Sequence, residues 1–93
     1  MAMDIEFDPK KQRTTLDKRQ LDFARAGEIF DGPHLTRMDD REDYGEDRFI
    51  TAGWLDGRIV LVTWTPRGDD VTRIISMRKA NERERKKLAP HLV

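Results

Sequence analysis

The sequence predicts an α+β fold: two N-terminal helices, an antiparallel meander of three to four strands, and a C-terminal helix. The pair Asp56-Gly57 separates two strand-like runs, which is the strongest short-range signal of a β-hairpin. Four apolar residues upstream recur at helical spacing and form one stripe: Phe23, Ala26, Ile29 and Phe30. Because 93 residues are near the lower edge of the common size of a domain, residues 1–93 are expected to form one domain. A meander needs a helix on one face for stability.

The first helix is predicted over residues 9–18. Asp8 is a suitable N-cap, and Pro9 is favoured at the first helical position. This helix is very polar and offers mainly Leu16 to the core. Before it, residues 4–7 alternate weakly between polar and apolar, which predicts a short edge strand.

The second helix is predicted to begin after Asp22 and to end at Asp31-Gly32-Pro33, where Gly32 suits a left-handed conformation. The strands that follow are predicted over four segments: residues 34–38, 48–55, 58–65 and 71–77. Residues 39–47 hold six acids and one arginine, which predicts a solvated loop. Residues 78–88 predict a charged, solvated helix that Pro90 ends.

The charge of the chain is unevenly distributed along its length. Lys and Arg balance Asp and Glu at 18 each, but residues 1–57 carry a net −5 and residues 58–93 a net +5. This asymmetry favours a basic surface that binds an anionic partner. The alternative is a well-solvated surface with local ion pairs.

Several classes of protein are disfavoured by composition. There is no cysteine, so neither disulfides nor a thiolate metal site stabilise the fold. His34 and His91 are far apart and lack ligand spacing, so we expect no metal and no cofactor. No apolar run approaches the roughly 18 residues of a membrane span, and the polar N-terminus does not resemble a signal peptide. We expect a cytoplasmic protein without a membrane partner.

Basic residues recur on the predicted sheet. Arg48 opens one strand, Arg67 lies in a turn, and Arg73 and Arg78 lie on or at the end of the last strand, with Lys79 beside Arg78. Uniform alternation along this strand predicts that Arg73 points away from the face of Arg78. Guanidinium groups on an open sheet bind phosphate in a planar, bidentate manner.

Two alternatives stay open for the polar and aromatic residues of the sheet. Each arginine can instead form an ion pair with Glu46, Asp47 or a neighbouring acid. Trp54 and Trp64 are either core residues or platforms on which bases stack.

Four motifs, taken in order, resemble the BrnT toxins: "FDPKK", "LDFARAGEIFDGP", "EDRFITAG" and "RIISMRKANERER". Their order and spacing cover roughly residues 5 to 87. The resemblance implies a type II toxin of bacteria with a RelE-like α+β fold, which inhibits translation by cleaving RNA without a metal. It also implies a DNA-binding antitoxin, BrnA, in a heterotetramer of two toxins and two antitoxins.

The resemblance also implies a set of functional residues. Arg73 and Arg78 match the family's signature arginines and are expected to bind phosphate and stabilise the transition state. Glu46 matches as a base and Arg48 as a second clamp, while Lys18 matches the lysine of a Lys-His-Gly motif. Three further side chains are expected to contact RNA: Arg19, Arg67 and Lys79.

This chain departs from that motif at two positions. It reads Lys18-Arg19-Gln20, so an arginine replaces the histidine and a glutamine replaces the glycine. A guanidinium does not exchange protons at neutral pH, whereas an imidazole does. The alternative to an active endoribonuclease is therefore a homologue with weakened or lost activity, which acts as an antitoxin-binding co-repressor or as an RNA-binding module.

Overall fold

The structure is a computed structural model that describes residues 3–93. Within that range, three α-helices and five strands form a mixed α+β fold. The strands are β1 (Asp4–Phe7), β2 (His34–Met38), β3 (Phe49–Leu55), β4 (Arg58–Arg67) and β5 (Val71–Lys79). The helices are α1 (Pro9–Arg19), α2 (Ala26–Asp31) and α3 (Glu82–Leu88), with 3-10 turns at Phe23–Arg25 and Ala89–His91.

The strands of the described chain form one sheet in the order β1-β5-β4-β3-β2. β1 pairs with β5 in parallel, and the other pairs are antiparallel. The predicted number of three to four strands was too low because β1 joins the meander through a long-range parallel contact that no local pattern signals. The short edge strand predicted over residues 4–7 is confirmed as β1 (Asp4–Phe7), which lies at one edge of the sheet and precedes α1 and α2.

The turns around the meander agree in part with the prediction. Asp56 (φ 52°) and Gly57 (φ 76°) both adopt the left-handed conformation of a two-residue hairpin, which confirms that turn. Gly32 is instead extended (φ −102°), so its predicted left-handed conformation was wrong. The chain needs no reversal there because it continues directly into β2.

One face of the sheet is covered by α2 and by the 3-10 turn that precedes α2. We call this side of the sheet the helix-covered face. It carries Val60, Val62 and Trp64 of β4. Phe23, Ala26 and Ile29 are at most 1% exposed, which confirms most of the predicted stripe. The expected contribution of Leu16 was wrong, since this residue is 42% exposed and α1 buries no residue.

α1 is held by polar contacts instead of an apolar face. Its N-cap is Asp8, as predicted, which accepts a hydrogen bond from the backbone N–H of Lys10. The side chain of Gln12 donates to Asp22 at 2.9 Å, and Arg19 donates to the carbonyl of Met77 at 2.8 Å. α1 therefore lies against β5 without contributing to the core.

An irregularity interrupts the ladder between β4 and β5. Thr63 pairs with Ser76, but the next residue, Trp64, pairs with Ile74. Ile75 is thus an extra residue on β5, which is a β-bulge. A bulge shifts the alternation of side chains by one position. Two side chains an odd number of positions apart, one before the bulge and one after it, therefore lie on the same face, whereas a regular strand would place them on opposite faces.

The bulge places Arg73 and Arg78 on the same face. Arg73 pairs with Thr65 and Arg78 pairs with Leu61, and these partners lie on the side of β4 opposite the helix-covered face. We call this side, which carries Leu61, Thr63 and Thr65, the basic face. The predicted opposition of Arg73 and Arg78 was wrong because it assumed uniform alternation.

α3 begins at Glu82 and not at residue 78, because Arg78 and Lys79 continue the ladder with β4. Asn81 and Glu84 form a reciprocal capping box that fixes this start. The expected charged, solvated helix is confirmed over Glu82–Leu88, none of which is buried. Leu88 nevertheless packs against the basic face, as does Leu92 in the chain that follows. No helix among residues 3–93 is long and apolar enough to cross a membrane.

Candidate nucleic-acid interface

A row of polar side chains crosses the basic face near the start of β5. Arg73 pairs with Thr65 across the ladder, and on its other side it forms an ion pair with Glu6 of β1. The Thr65 hydroxyl donates to the carbonyl of Asp47 at 2.6 Å. Arg48, which directly precedes β3, therefore stands at the same end of the sheet as Arg73.

Arg78 lies further along the same face and is bound by Glu84 of α3. Its Nη1 and Nη2 donate to the two carboxylate oxygens at 2.7 and 2.8 Å. These bonds lower the pKa of Glu84 to about 2 and raise the pKa of Arg78. A guanidinium offers the same two-pronged geometry to phosphate, so Glu84 occupies the position at which a phosphate would meet Arg78.

A cavity of about 500 Å³ lies beside this pair, between β2 and α3 and over the basic face; we call it the α3 cleft. Five cationic side chains line it: Arg37, Arg41, Arg78, Arg83 and Lys87. Glu84 is the acid among its lining residues. Apolar side chains and three hydroxyl-bearing residues complete the lining, among them Ile50, Leu61, Thr63, Ser76 and Leu88. The cleft thus combines a cationic rim with a largely apolar floor.

The charges of the cleft act on one another. The positive charge of Arg37 helps to lower the pKa of Glu84, whereas that of Arg41 opposes the raised pKa of Arg78. Arg41 is itself held by two bonds of 2.7 and 2.8 Å to Asp39, whose side chain is fully buried. Asp39 therefore anchors one cation at the rim, and its own pKa is lowered by Arg41.

The acidic loop encloses Arg48. The Nε of Arg48 donates a hydrogen bond to the Glu46 carboxylate at 3.1 Å, and the Arg48 guanidinium lies 3.9 Å from the centre of the Tyr44 ring. A smaller cavity of about 320 Å³ here is lined mainly by acids of the loop. The loop is confirmed as a connection without helix or strand between β2 and β3. Arg48 is therefore the ion-pair partner of Glu46, and its charge also helps to lower the pKa of Asp39.

The remaining predicted residues are dispersed. Lys18 is exposed in the last turn of α1, next to the Arg19 that binds the carbonyl of Met77. Arg67 is exposed at the end of β4. Lys79 pairs with Val60 and so lies on the helix-covered side. Of the predicted residues, Arg73 and Arg78 share the basic face, Arg48 lies within the acidic loop at one end of the sheet, and Lys79 lies on the other face.

The two tryptophans serve the fold. Trp64 stacks on Phe49 with 4.9 Å between ring centroids and donates to the Thr51 hydroxyl at 2.8 Å. Trp54 donates to the carbonyl of Leu92 at 2.7 Å and so fastens the C-terminal turn to β3. Among residues 3–93, no group of three His, Cys, Asp or Glu side chains is arranged to hold a metal ion.

The comparison with known proteins decides the family. The family model described as "Ribonuclease toxin, BrnT, of type II toxin-antitoxin system" matches residues 7–84, from the end of β1 to the first turn of α3. This chain belongs to the BrnT family. The crystal structure of the Brucella abortus ribonuclease toxin BrnT is similar, with 30% sequence identity, a TM-score of 0.66, and coverage of 86% of this chain and 99% of that chain. A comparison with curated proteins gives no match.

Membership of the BrnT family confirms the resemblance carried by the four motifs, and the family is one of ribonuclease toxins with an antitoxin partner. The family motif also explains the backbone conformation at the end of α1. Gln20, in the place where the resemblance implies glycine, ends α1 in the left-handed conformation (φ 57°, ψ 35°). Glycine is favoured at such a position because it has no Cβ, so the replacement in this chain carries backbone strain.

Sequence reasoning missed four cations of the α3 cleft: Arg37, Arg41, Arg83 and Lys87. A signal existed for two of them, since Arg83 and Lys87 are four residues apart and share one side of a helix. Their placement over the sheet depends on the packing of Leu88, which a reading of residues 78–88 as solvated did not anticipate.

Proposed function

We propose that this chain is a RelE-like endoribonuclease toxin that binds RNA on the basic face, cleaves it without a metal ion and so inhibits translation. The observation that carries the proposal is the bulge at Ile75, which brings Arg73 and Arg78 to one face. The hydroxyls of Thr63 and Ser76 belong to the same face, between the two arginines. Such a surface offers charged clamps and neutral donors to a phosphodiester.

Cleavage without a metal requires a base, a stabiliser of the developing charge and an acid. We assign the base to Glu46, which would accept the proton of the ribose 2′-OH as its oxygen attacks the adjacent phosphorus. Arg73 and Arg78 would stabilise the negative phosphorane, with Arg48 as a further clamp. Lys18 would donate its ammonium proton to the leaving 5′-oxygen as the P–O5′ bond breaks, giving a 2′,3′-cyclic phosphate and a free 5′-hydroxyl.

The ion pairs of these arginines do not prevent the proposed role. The side chains of Arg73 and Glu6 are 31% and 45% exposed, and that of Arg78 is 47% exposed. Solvent-exposed pairs contribute only about 0–1 kcal/mol. A phosphate can therefore replace the carboxylate at little cost, and the pairs would hold the guanidiniums in position until RNA arrives.

One observation favours a second candidate, a weakened toxin that acts as an antitoxin-binding co-repressor or RNA-binding module. Arg19, which stands where the family motif has a histidine, donates a hydrogen bond to the carbonyl of Met77. It cannot exchange a proton at neutral pH, so proton transfer depends on Lys18 and Glu46 alone. This candidate predicts RNA binding without cleavage.

Expression in a bacterium separates the two candidates. Induction of the unmodified chain alone should arrest growth, and Arg73→Ala or Arg78→Ala should relieve the arrest. Arg13→Ala, which removes an exposed arginine of α1, is the matched control and should remain toxic. Normal growth with the unmodified chain abundant and folded would reject the toxin and leave the co-repressor.

The proposed partner is a BrnA-like, DNA-binding antitoxin that forms a heterotetramer of two toxins and two antitoxins. Co-expression with the product of the adjacent gene should restore growth. The mass of the purified complex, measured by light scattering, should correspond to two copies of each chain. A toxin that is neutralised by no neighbouring gene product would contradict this assignment.

A further inference from the structure

The α3 cleft has two cationic walls that the proposed catalytic set does not use. Arg37 extends from β2, where its neighbour Ile50 places it on the basic face. Arg83 and Lys87 extend from α3 on the opposite side. All three residues are exposed, so they carry their charge at the entrance and not in the core.

The charge of the cleft is unbalanced. Glu84 is the acid among the lining residues, and both of its oxygens are engaged by Arg78. Arg37 lines the same cavity as Glu84, Arg83 and Lys87, so the two walls face one enclosed space. An anion between Arg37 and Lys87 would offset the repulsion between their like charges.

The dimensions and lining of the cleft fit nucleotides. A volume of about 500 Å³ is comparable to a small-molecule pocket and does not admit a double helix. The apolar side chains of Ile50, Leu61 and Leu88 can contact the face of a base, while the cations of the rim can bind phosphates. A positively charged groove that follows the backbone is one part of the sites that bind single-stranded nucleic acid.

We infer that the α3 cleft binds the backbone phosphates of single-stranded RNA next to the phosphate held by Arg78, with Arg37, Arg83 and Lys87 as the contacts. This rests on the proposed function, since it extends the RNA path from the basic face. It assigns α3 a role in holding substrate in addition to packing.

The test is the affinity for a 2′-O-methyl oligouridylate of about 12 nucleotides, which lacks the attacking hydroxyl and stays intact. The double variant Arg37→Gln/Lys87→Gln should bind about tenfold or more weakly than the unmodified chain. The slope of log K against log salt should also fall by about 0.7 for each lost contact. The matched control is Lys10→Gln/Arg13→Gln, which removes the same charge from the exposed surface of α1.

Equal affinities and slopes for the two double variants, both with unchanged thermal unfolding, would overturn the inference. So would loss of antitoxin binding in Arg37→Gln/Lys87→Gln with RNA affinity intact, because the cleft would then serve a protein partner. Failure of the proposed function looks different: the chain would bind the oligonucleotide through the cleft and yet cleave no RNA.

Discussion

The pair between Arg78 and Glu84 should be broken selectively by Glu84→Gln. The pKa of Glu84 is lowered from 4.5 to about 2, chiefly by the hydrogen bonds from Arg78. That lowering corresponds at most to roughly 3 kcal/mol of stability. Because the side chain of Arg78 is 47% exposed, solvent screening reduces the contribution to about 1 kcal/mol.

Glutamine is the appropriate replacement because its amide oxygen can still accept the N–H of Asn81, so the capping box is retained. A loss of about 1 kcal/mol should lower the Tm of a chain of this size by about 4–8 °C at neutral pH. The matched control is Glu82→Gln on the same helix. The side chains of Lys86 and Glu82, which form an ion pair, are 78% and 73% exposed. The Tm of Glu82→Gln should therefore differ little from that of the unmodified chain.

The difference should depend on pH in a defined direction. A carboxyl whose pKa is lower in the folded state stabilises the protein fully above its unfolded pKa and loses that effect as it is protonated. The Tm gap between the unmodified chain and Glu84→Gln should therefore persist above pH 4.5 and close as the pH falls towards 2. Equal Tm values at neutral pH, or a gap that is unchanged in acid, would refute the reasoning.

Three further substitutions test other parts of the account. Gln20→Gly should raise the free energy of unfolding in urea by about 1 kcal/mol, because glycine removes the strain of a left-handed residue (φ 57°). Gly53→Ala should lower it by roughly 1–3 kcal/mol, since the new Cβ would lie 2.6 Å from Cγ2 of Ile29. Arg19→Ala should lower the free energy of unfolding by about 1 kcal/mol, because the hydrogen bond to the carbonyl of Met77 is lost. An unchanged urea midpoint in any of the three variants would contradict the structural feature that the variant tests.

Features encoded by neighbouring residues could be predicted from the sequence. The Asp56-Gly57 turn, the N-cap at Asp8 and the apolar stripe of Phe23, Ala26 and Ile29 all depend on local conformation and periodicity, and each is found in the structure. The exposure of Leu16 was missed because a helix can dock through polar contacts at its ends, which periodicity does not report.

The relation between Arg73 and Arg78 could not be predicted because it depends on the extra residue Ile75 in the ladder. Nothing in the sequence "TRIISMRK" marks where a strand will accommodate that residue; the position depends on how β4 and the core fit together. The α3 cleft was missed for a related reason. Arg37 and Lys87 are 50 positions apart in the sequence and line one cavity only because α3 packs over the basic face beside β2.

RNA cleavage by the purified chain in EDTA tests the central claim, that the basic face carries a metal-independent ribonuclease site. The unmodified chain should cleave RNA at the same rate with and without the chelator. Arg78→Ala should reduce that rate by about 100-fold or more, as expected for loss of a donor that stabilises transition-state charge, while Arg13→Ala should not reduce it. Activity that disappears with EDTA, or that survives undiminished in Arg78→Ala, would contradict the account.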